Sequence, residues 1–391
     1  MYVSNKVKEL PPYLFSSFQK KKQELIANGV DVIDLGIGAP DLPTPKFIID
    51  KLCEEAQNPS NHRYSPYDGS AEFREAVAYY YERRYGVRLD PDTEILTLIG
   101  SKEGIANLIQ AAINPGDTVI IPDPGYPAYQ TAVHLAGGKS VYLPLDHQHD
   151  YIPMFDQLSD QDRHAAKLLF LNYPSNPTAA TAELNTFMEA ITFGEENGIA
   201  IVHDAAYDLV TFDGYKAPSI LQVPNAKEIA VEFGSLSKSF NMTGWRIGYV
   251  VGNKTLIQAL ATLKSNIDTS QFLAIQKAAA IALRSDLSGV KKHTMIVKER
   301  MERMYHGLVE AGFDVQKPKG SIFIWPRILA GYTSAAFAEK LLDEAGIIVT
   351  PGTAFGPSGE GYIRMALSVP VERIDEVIRR IKEFNRKGVS S

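Results

Sequence analysis

The stretch Gly234-Ser235-Leu236-Ser237-Lys238-Ser239-Phe240-Asn241-Met242-Thr243-Gly244-Trp245-Arg246-Ile247-Gly248 lies between two apolar runs and packs hydroxyls, one lysine and one arginine into a glycine-punctuated loop. A lone lysine is usually a solvated surface group. Lys238 differs in its setting. It follows a strand-like run, at the place where a parallel sheet puts its functional loops. Its amine can form a Schiff base with an aldehyde. The hydroxyls of Ser235 and Ser237, with Arg246, offer the charged hydrogen bonds that a dianionic phosphate requires.

Outward from this loop the chain alternates. Short aliphatic or β-branched runs predict strands at 95–99, 118–121, 140–143, 167–171, 200–203, 229–233 and 247–251, with helix-like segments between them at 102–113, 128–136, 182–196 and 255–263. Such alternation predicts an α/β architecture: a mostly parallel, seven-stranded sheet with helices on both faces and functional loops beyond the C-terminal ends of its strands. A helical zone at 272–284 and 291–311 leads into a tail with strands at 321–325, 347–349 and 362–367 and helices at 334–345 and 370–385. The tail reads as a smaller α+β domain. The expected division is an N-terminal arm with part of the small domain over 1–45, a large domain over 46–285, and a small C-terminal domain over 286–391.

Two more segments follow predicted strands. In Val202-His203-Asp204-Ala205-Ala206-Tyr207, an aspartate after an apolar run is by itself a helix cap or a turn. Beside a Schiff-base lysine it becomes the carboxylate that keeps a pyridine nitrogen protonated, which lets the ring accept electrons from a carbanion. Tyr207 could then donate to the ring's phenolic oxygen. In Leu171-Asn172-Tyr173-Pro174-Ser175-Asn176-Pro177-Thr178, the plain reading is an Asn-Pro turn. The functional reading gives the Asn176 amide to the same oxygen or to a substrate carboxylate.

Composition narrows the rest. The 391 residues carry 46 acidic and 40 basic side chains, a net charge of −6, with 22% charged and 45% apolar residues. Those are values of a soluble globular protein, and the acidic balance argues against a nucleic-acid binder. One cysteine, Cys53, excludes an intrachain disulfide and a multi-cysteine metal cluster, so no metal site is expected. The first residues lack a secretory pattern and no apolar run is long enough to span a bilayer, so a cytoplasmic protein without membrane partners is expected. Gly36-Ile37-Gly38 imitates the start of a dinucleotide fingerprint, but position 41 is aspartate and Pro40 and Pro43 oppose the helix that must follow.

Together NYPSNPT, HDAAYD and SLSKSFNMTGWRIG, in that order and spacing, resemble the fold-type I pyridoxal-phosphate (PLP) enzymes, specifically the class I and II aminotransferases, over almost the full length. The bacterial LL-diaminopimelate, aspartate, alanine and methionine-salvage aminotransferases are the nearest in pattern. The resemblance implies pyridoxal 5′-phosphate as cofactor, held through its aldehyde by Lys238. Asp204 is implied at the ring nitrogen, Tyr207 and Asn176 at the phenolic oxygen, and Ser235 and Arg246 at the phosphate. Gly100-Ser101-Lys102-Glu103-Gly104 resembles the phosphate-cradling helix start, which offers N–H groups to an anion. Tyr126 in PDPGYPAY is implied to stack on the ring, and Tyr64 in HRYSPYDG to reach the phosphate of a neighbouring subunit, hence a homodimer with shared sites. Arg364 in GYIRMALS is implied to clamp the substrate α-carboxylate, assisted by Gly38 and Asn176. The activity implied is ping-pong transfer of an amino group from an L-amino acid to a 2-oxo acid, with 2-oxoglutarate as acceptor. A carbon–sulfur β-lyase built from the same parts is the alternative. Two positions depart from the family's usual pattern: Ala179 replaces the glycine after NPT, and Ala205 replaces the glutamate after Asp204.

Overall fold

The computed structural model describes residues 2–10 and 14–389. Its strands in chain order are β1 (Ile33–Asp34), β2 (Ile95–Leu98), β3 (Thr118–Asp123), β4 (Lys139–Pro144), β5 (Ala166–Asn172), β6 (Ala200–Asp204), β7 (Ala230–Ser235), β8 (Gly248–Gly252), β9 (Phe323–Ile324), β10 (Ile347–Ile348), β11 (Thr350–Pro351) and β12 (Ile363–Ala366). All seven strands expected in the central part join one sheet in the order β2-β8-β7-β6-β5-β3-β4. Only β8 runs against its neighbours, being antiparallel to both β2 and β7. The link from β7 to β8 explains this. It holds only the short helix Leu236–Ser239 and the turn Thr243–Trp245. A parallel return needs a longer crossover.

Both faces of the sheet are covered, which is why its strands are apolar throughout rather than alternating with polar residues. Along β5, Leu169 and Leu171 enter a core shared with Phe73, Tyr80, Tyr81 and Ala278. Leu168 and Phe170, facing the other way, enter a core with Leu108, Val231, Phe233 and Leu260. A third core gathers Ile33, Met301, Met304, Phe323, Phe337, Ile347, Met365 and Ile374 and forms the smaller domain. There β11, β12 and β9 make an antiparallel sheet, while β1 pairs in parallel with β10. That pairing ties the N-terminal arm to the C-terminal part of the chain and brings residues 35–44 over the end of the central sheet. No dinucleotide-type helix follows β1; the next helix is Lys46–Ala56. Among the described residues no helix is long and apolar enough to cross a membrane.

Candidate active site

Strands β5, β6 and β7 run in parallel and end together, so Asn172, Asp204 and Ser235 leave the sheet at one edge. Ser235 then caps the short helix Leu236–Ser239, its Oγ accepting from the Ser237 N–H at 3.2 Å. This turn delivers Lys238. Its Nζ donates to the Gly38 carbonyl at 2.8 Å. Burial, reinforced by the charges of Arg364 and Arg246 and opposed by Asp204, lowers the ammonium to about 8. Gly38 has no room for a side chain: a Cβ would sit 2.4 Å from Phe323 Cζ. The segment that supplies Gly38 is held in place by a bidentate Arg300–Asp41 pair at 2.7 and 2.8 Å. Arg300 is buried on helix Ser288–Glu310, and its pairing partner lies 259 positions away.

Asp204 is buried, and burial pushes its carboxyl above the usual range. Oδ2 accepts from Tyr129 Oη at 2.8 Å. Oδ1 is buried without a hydrogen-bond partner. A buried acceptor left open costs free energy unless a ligand fills it. A protonated pyridine nitrogen would be such a ligand: it would donate to the open oxygen and favour the ionised carboxylate. The site therefore fits the ring of PLP. Tyr129 was not among the sequence-derived candidates. It lies three residues after Tyr126 on helix Ala128–Ala136, close to Tyr126 edge-to-face at 5.6 Å. That i, i+3 spacing was the available signal.

Arg364, on β12, is also buried. Its Nη1 donates to Asn176 Oδ1 at 2.8 Å and its Nη2 to the Gly36 carbonyl at 2.6 Å. The guanidinium lies 4.3 Å from the Phe323 ring centroid and 4.7 Å from that of Phe355. Cation–π contact and two fixed acceptors leave this fork little freedom, the preorganisation a carboxylate site needs. Tyr207 packs edge-on against Phe323 at 5.7 Å, and burial raises its phenol. Lys238, Asp204, Tyr207, Asn176 and Arg364 thus meet, although they come from both domains.

Gly100 caps the N-terminus of helix Ser101–Ala112 at φ +83°. Its missing side chain admits Arg246, whose Nη2 would lie 2.3 Å from a Cβ there. Arg246 also donates to the Thr243 carbonyl at 2.9 Å. The helix start with Ser101 and Lys102, the Arg246 fork and the Ser235–Ser237 turn are therefore neighbours. N–H groups of a first helical turn have no partner within the helix, so this corner suits a phosphate. Tyr64 stands apart, 89% exposed. Gly38 meets Lys238 through its carbonyl. Ala179 adopts φ +58°, a left-handed conformation that an alanine tolerates poorly.

A family model described as aminotransferase class I and II matches residues 30–381. The LL-diaminopimelate aminotransferase of Moorella thermoacetica is 47% identical over 382 residues, 98% of each chain. Among solved structures, substrate-bound BacF from Bacillus subtilis superposes with a TM-score of 0.95 at 35% identity, covering 98% of both chains. A probable N-succinyldiaminopimelate aminotransferase from Thermus thermophilus does so with a TM-score of 0.90 at 34% identity, covering 94% of this chain and 99% of the other.

Proposed function

The chain belongs to the class I and II aminotransferases and is a PLP-dependent enzyme; from that premise we propose that it transfers the amino group of LL-diaminopimelate to 2-oxoglutarate. The convergence of Lys238 Nζ, the open Oδ1 of Asp204 and the fixed fork of Arg364 carries the transferase chemistry. The name borne by relatives at 44–47% identity over nearly the whole chain supports the donor.

Bound PLP supplies the aldehyde that takes up the amino group and a ring that withdraws electrons from Cα. The chain's own residues do the rest. Arg364, with Asn176 beside it, binds the α-carboxylate and orients the amino acid. Lys238 Nζ, its ammonium lowered to about 8, has a useful share of free amine near neutral pH and would act as base toward the Cα proton and then, as the acid, hand that proton on away from Cα. Asp204 holds its charge at the ring nitrogen, and Tyr207 and Asn176 hold the phenolic oxygen. Ser101, Lys102, Ser235 and Arg246 grip the phosphate, and Tyr126 covers the ring, so that alignment survives each turnover. Tyr64, solvent-facing in the single chain, is read as completing the phosphate site of a second copy in a homodimer with shared sites.

The test is a panel of amino donors against 2-oxoglutarate with purified holoenzyme. The highest kcat/KM is expected for LL-diaminopimelate, with glutamate formed in equal amount. A better rate with aspartate or an aromatic donor would overturn the donor assignment. Pyruvate and thiol released from cystathionine, with no glutamate formed from any donor, would point to the β-lyase.

A further inference from the structure

Three residues before Tyr126, strand β3 ends on a buried carboxylate, Asp123. Because β3 runs parallel to β5, Asp123 leaves the central sheet at the same edge as the site residues. Among the described residues its carboxylate takes hydrogen bonds from Ser358 alone, 235 positions away. The Ser358 N–H donates to Oδ1 and Oδ2, both at 3.1 Å, and Ser358 Oγ donates to Oδ2 at 2.8 Å. Burial pushes the Asp123 carboxyl up, and those donors pull it back. A buried carboxylate with a single partner is held firmly to it, because parting the two would leave a desolvated charge unpaired.

Ser358 lies in the loop that follows β11, three residues after Phe355. A second bond fixes this loop to the same edge of the central sheet: the Gly125 N–H donates to the Phe355 carbonyl at 2.8 Å. Between the two attachments Gly356 adopts φ +126° and passes so near Asp123 that a Cβ would collide with Oδ1. The Phe355 ring meets Trp325 edge-on at 5.8 Å, and both join the core that holds Leu169 and Leu171 of the central sheet. The same ring lies against the Arg364 guanidinium at 4.7 Å. A fork carried on β12 of the smaller sheet is thus backed by a ring whose loop is tied to the larger sheet just ahead of Tyr126.

We propose that Asp123 and Ser358 form a clasp that positions the substrate: by seating Phe355 against Arg364, it sets the place of the carboxylate fork relative to Tyr126 and the cofactor ring. Asp123 touches neither substrate nor cofactor and is a positioning residue. Amino donor and 2-oxo acid both carry an α-carboxylate, so the clasp serves both half-reactions alike. The groups assigned to grip the phosphate, Ser101, Lys102, Ser235 and Arg246, sit on other elements and do not depend on it. The inference rests on the reading of Arg364 as the α-carboxylate clamp, so that reading has its own control.

The experiment measures steady-state kinetics of purified holoenzyme, varying the best amino donor and 2-oxoglutarate in turn, beside a PLP titration of cofactor-free protein and a thermal melt. In Asp123→Ala the KM for both substrates should rise about tenfold, with kcat and PLP affinity close to the parent's. Ser358→Ala keeps the backbone N–H bond and should give a smaller rise in the same direction, about threefold. Combined with Asp123→Ala it should add nothing, since the clasp is already lost. A parent-like KM in folded Asp123→Ala, or losses that multiply in the double variant, would overturn the proposal. So would a fall in PLP affinity as large as the rise in KM, the mark of general loosening. Should Asp123→Ala fail to fold, Ser358→Ala decides: a raised KM for both substrates supports the clasp, and an unchanged one overturns it. Arg364→Lys separates the two readings. If it leaves KM unchanged, the Arg364 assignment fails; if it raises KM while Asp123→Ala does not, only the present inference fails.

Discussion

Two buried carboxylates stand on adjacent strands, Asp204 at the end of β6 and Glu232 within β7, on opposite faces of one sheet. Asp204 has one side-chain donor, Tyr129, and an open oxygen, and its carboxyl is pushed up. Glu232 has four donors, the Tyr81 and Ser219 hydroxyls, the Ile220 N–H and His203 Nδ1, and its carboxyl is pushed down. The same burial thus gives opposite outcomes, and the number of donors decides which. On the reverse face the hydrogen bonding of Glu232 itself is complete. The site face keeps capacity unused because a ligand must supply the rest.

The sharpest break of this contrast is at Lys238. Lys238→Ala should lower kcat by about four orders of magnitude, since it removes both the attachment point and the proton carrier. The fold should persist, because an incompletely paired buried amine adds no stability. Single-turnover assays beside thermal melts check both halves. Arg364→Lys comes next: KM for the amino donor should rise about tenfold to a hundredfold, as a point charge replaces a planar fork.

Charge-neutral replacements compare the two carboxylates directly. Glu232→Gln should cost about 2–3 kcal/mol in a urea melt, because an amide donor is forced against donors and the buried charge network is broken. Asp204→Asn should cost less than about 1 kcal/mol, since the Tyr129 bond survives. It should nevertheless lower the rate about a hundredfold or more. Equal stability losses would erase the distinction between scaffold face and site face.

The pH response of Lys238 is subtler. Its amine loses its proton near 8 when folded, against 10.5 for the ordinary side chain. Between those values the unfolded chain binds more protons, so this group makes the cofactor-free protein more stable as pH rises from about 8 toward 10.5. Below 8 it adds no slope. Lys238→Met should lack that rise in urea melts taken across the window. Smallest of all is Ala179→Gly. Relief of the left-handed strain at φ +58° is set against a lost buried methyl and a floppier unfolded chain. The net change in stability should stay within about 1 kcal/mol.

The strands and helices of the large domain were legible because each shows its own hydrophobic period, and a run such as Leu168–Leu171 carries its signal locally. Lys238, Asp204, Asn176 and Arg364 were legible from motif order. Tyr129 and Arg300 were not: one meets a residue 75 positions away and the other a residue 259 positions away. The spacing from Tyr126 hinted at Tyr129, but nothing in the local pattern marks either pairing. His203 was visible only as the residue before Asp204.

By itself, then, the sequence determined the alternation of strands and helices, the lysine that would react, and the chemistry of the groups around it. Those depend on neighbours a few residues apart. Tertiary structure alone decided that β8 runs backwards, that the Gly38 carbonyl meets Lys238, and that Asp204 keeps one oxygen open while Glu232 keeps none. The reason is physical. Strand register and domain docking set which donors reach which buried acceptors, and those contacts bridge residues the chain holds far apart.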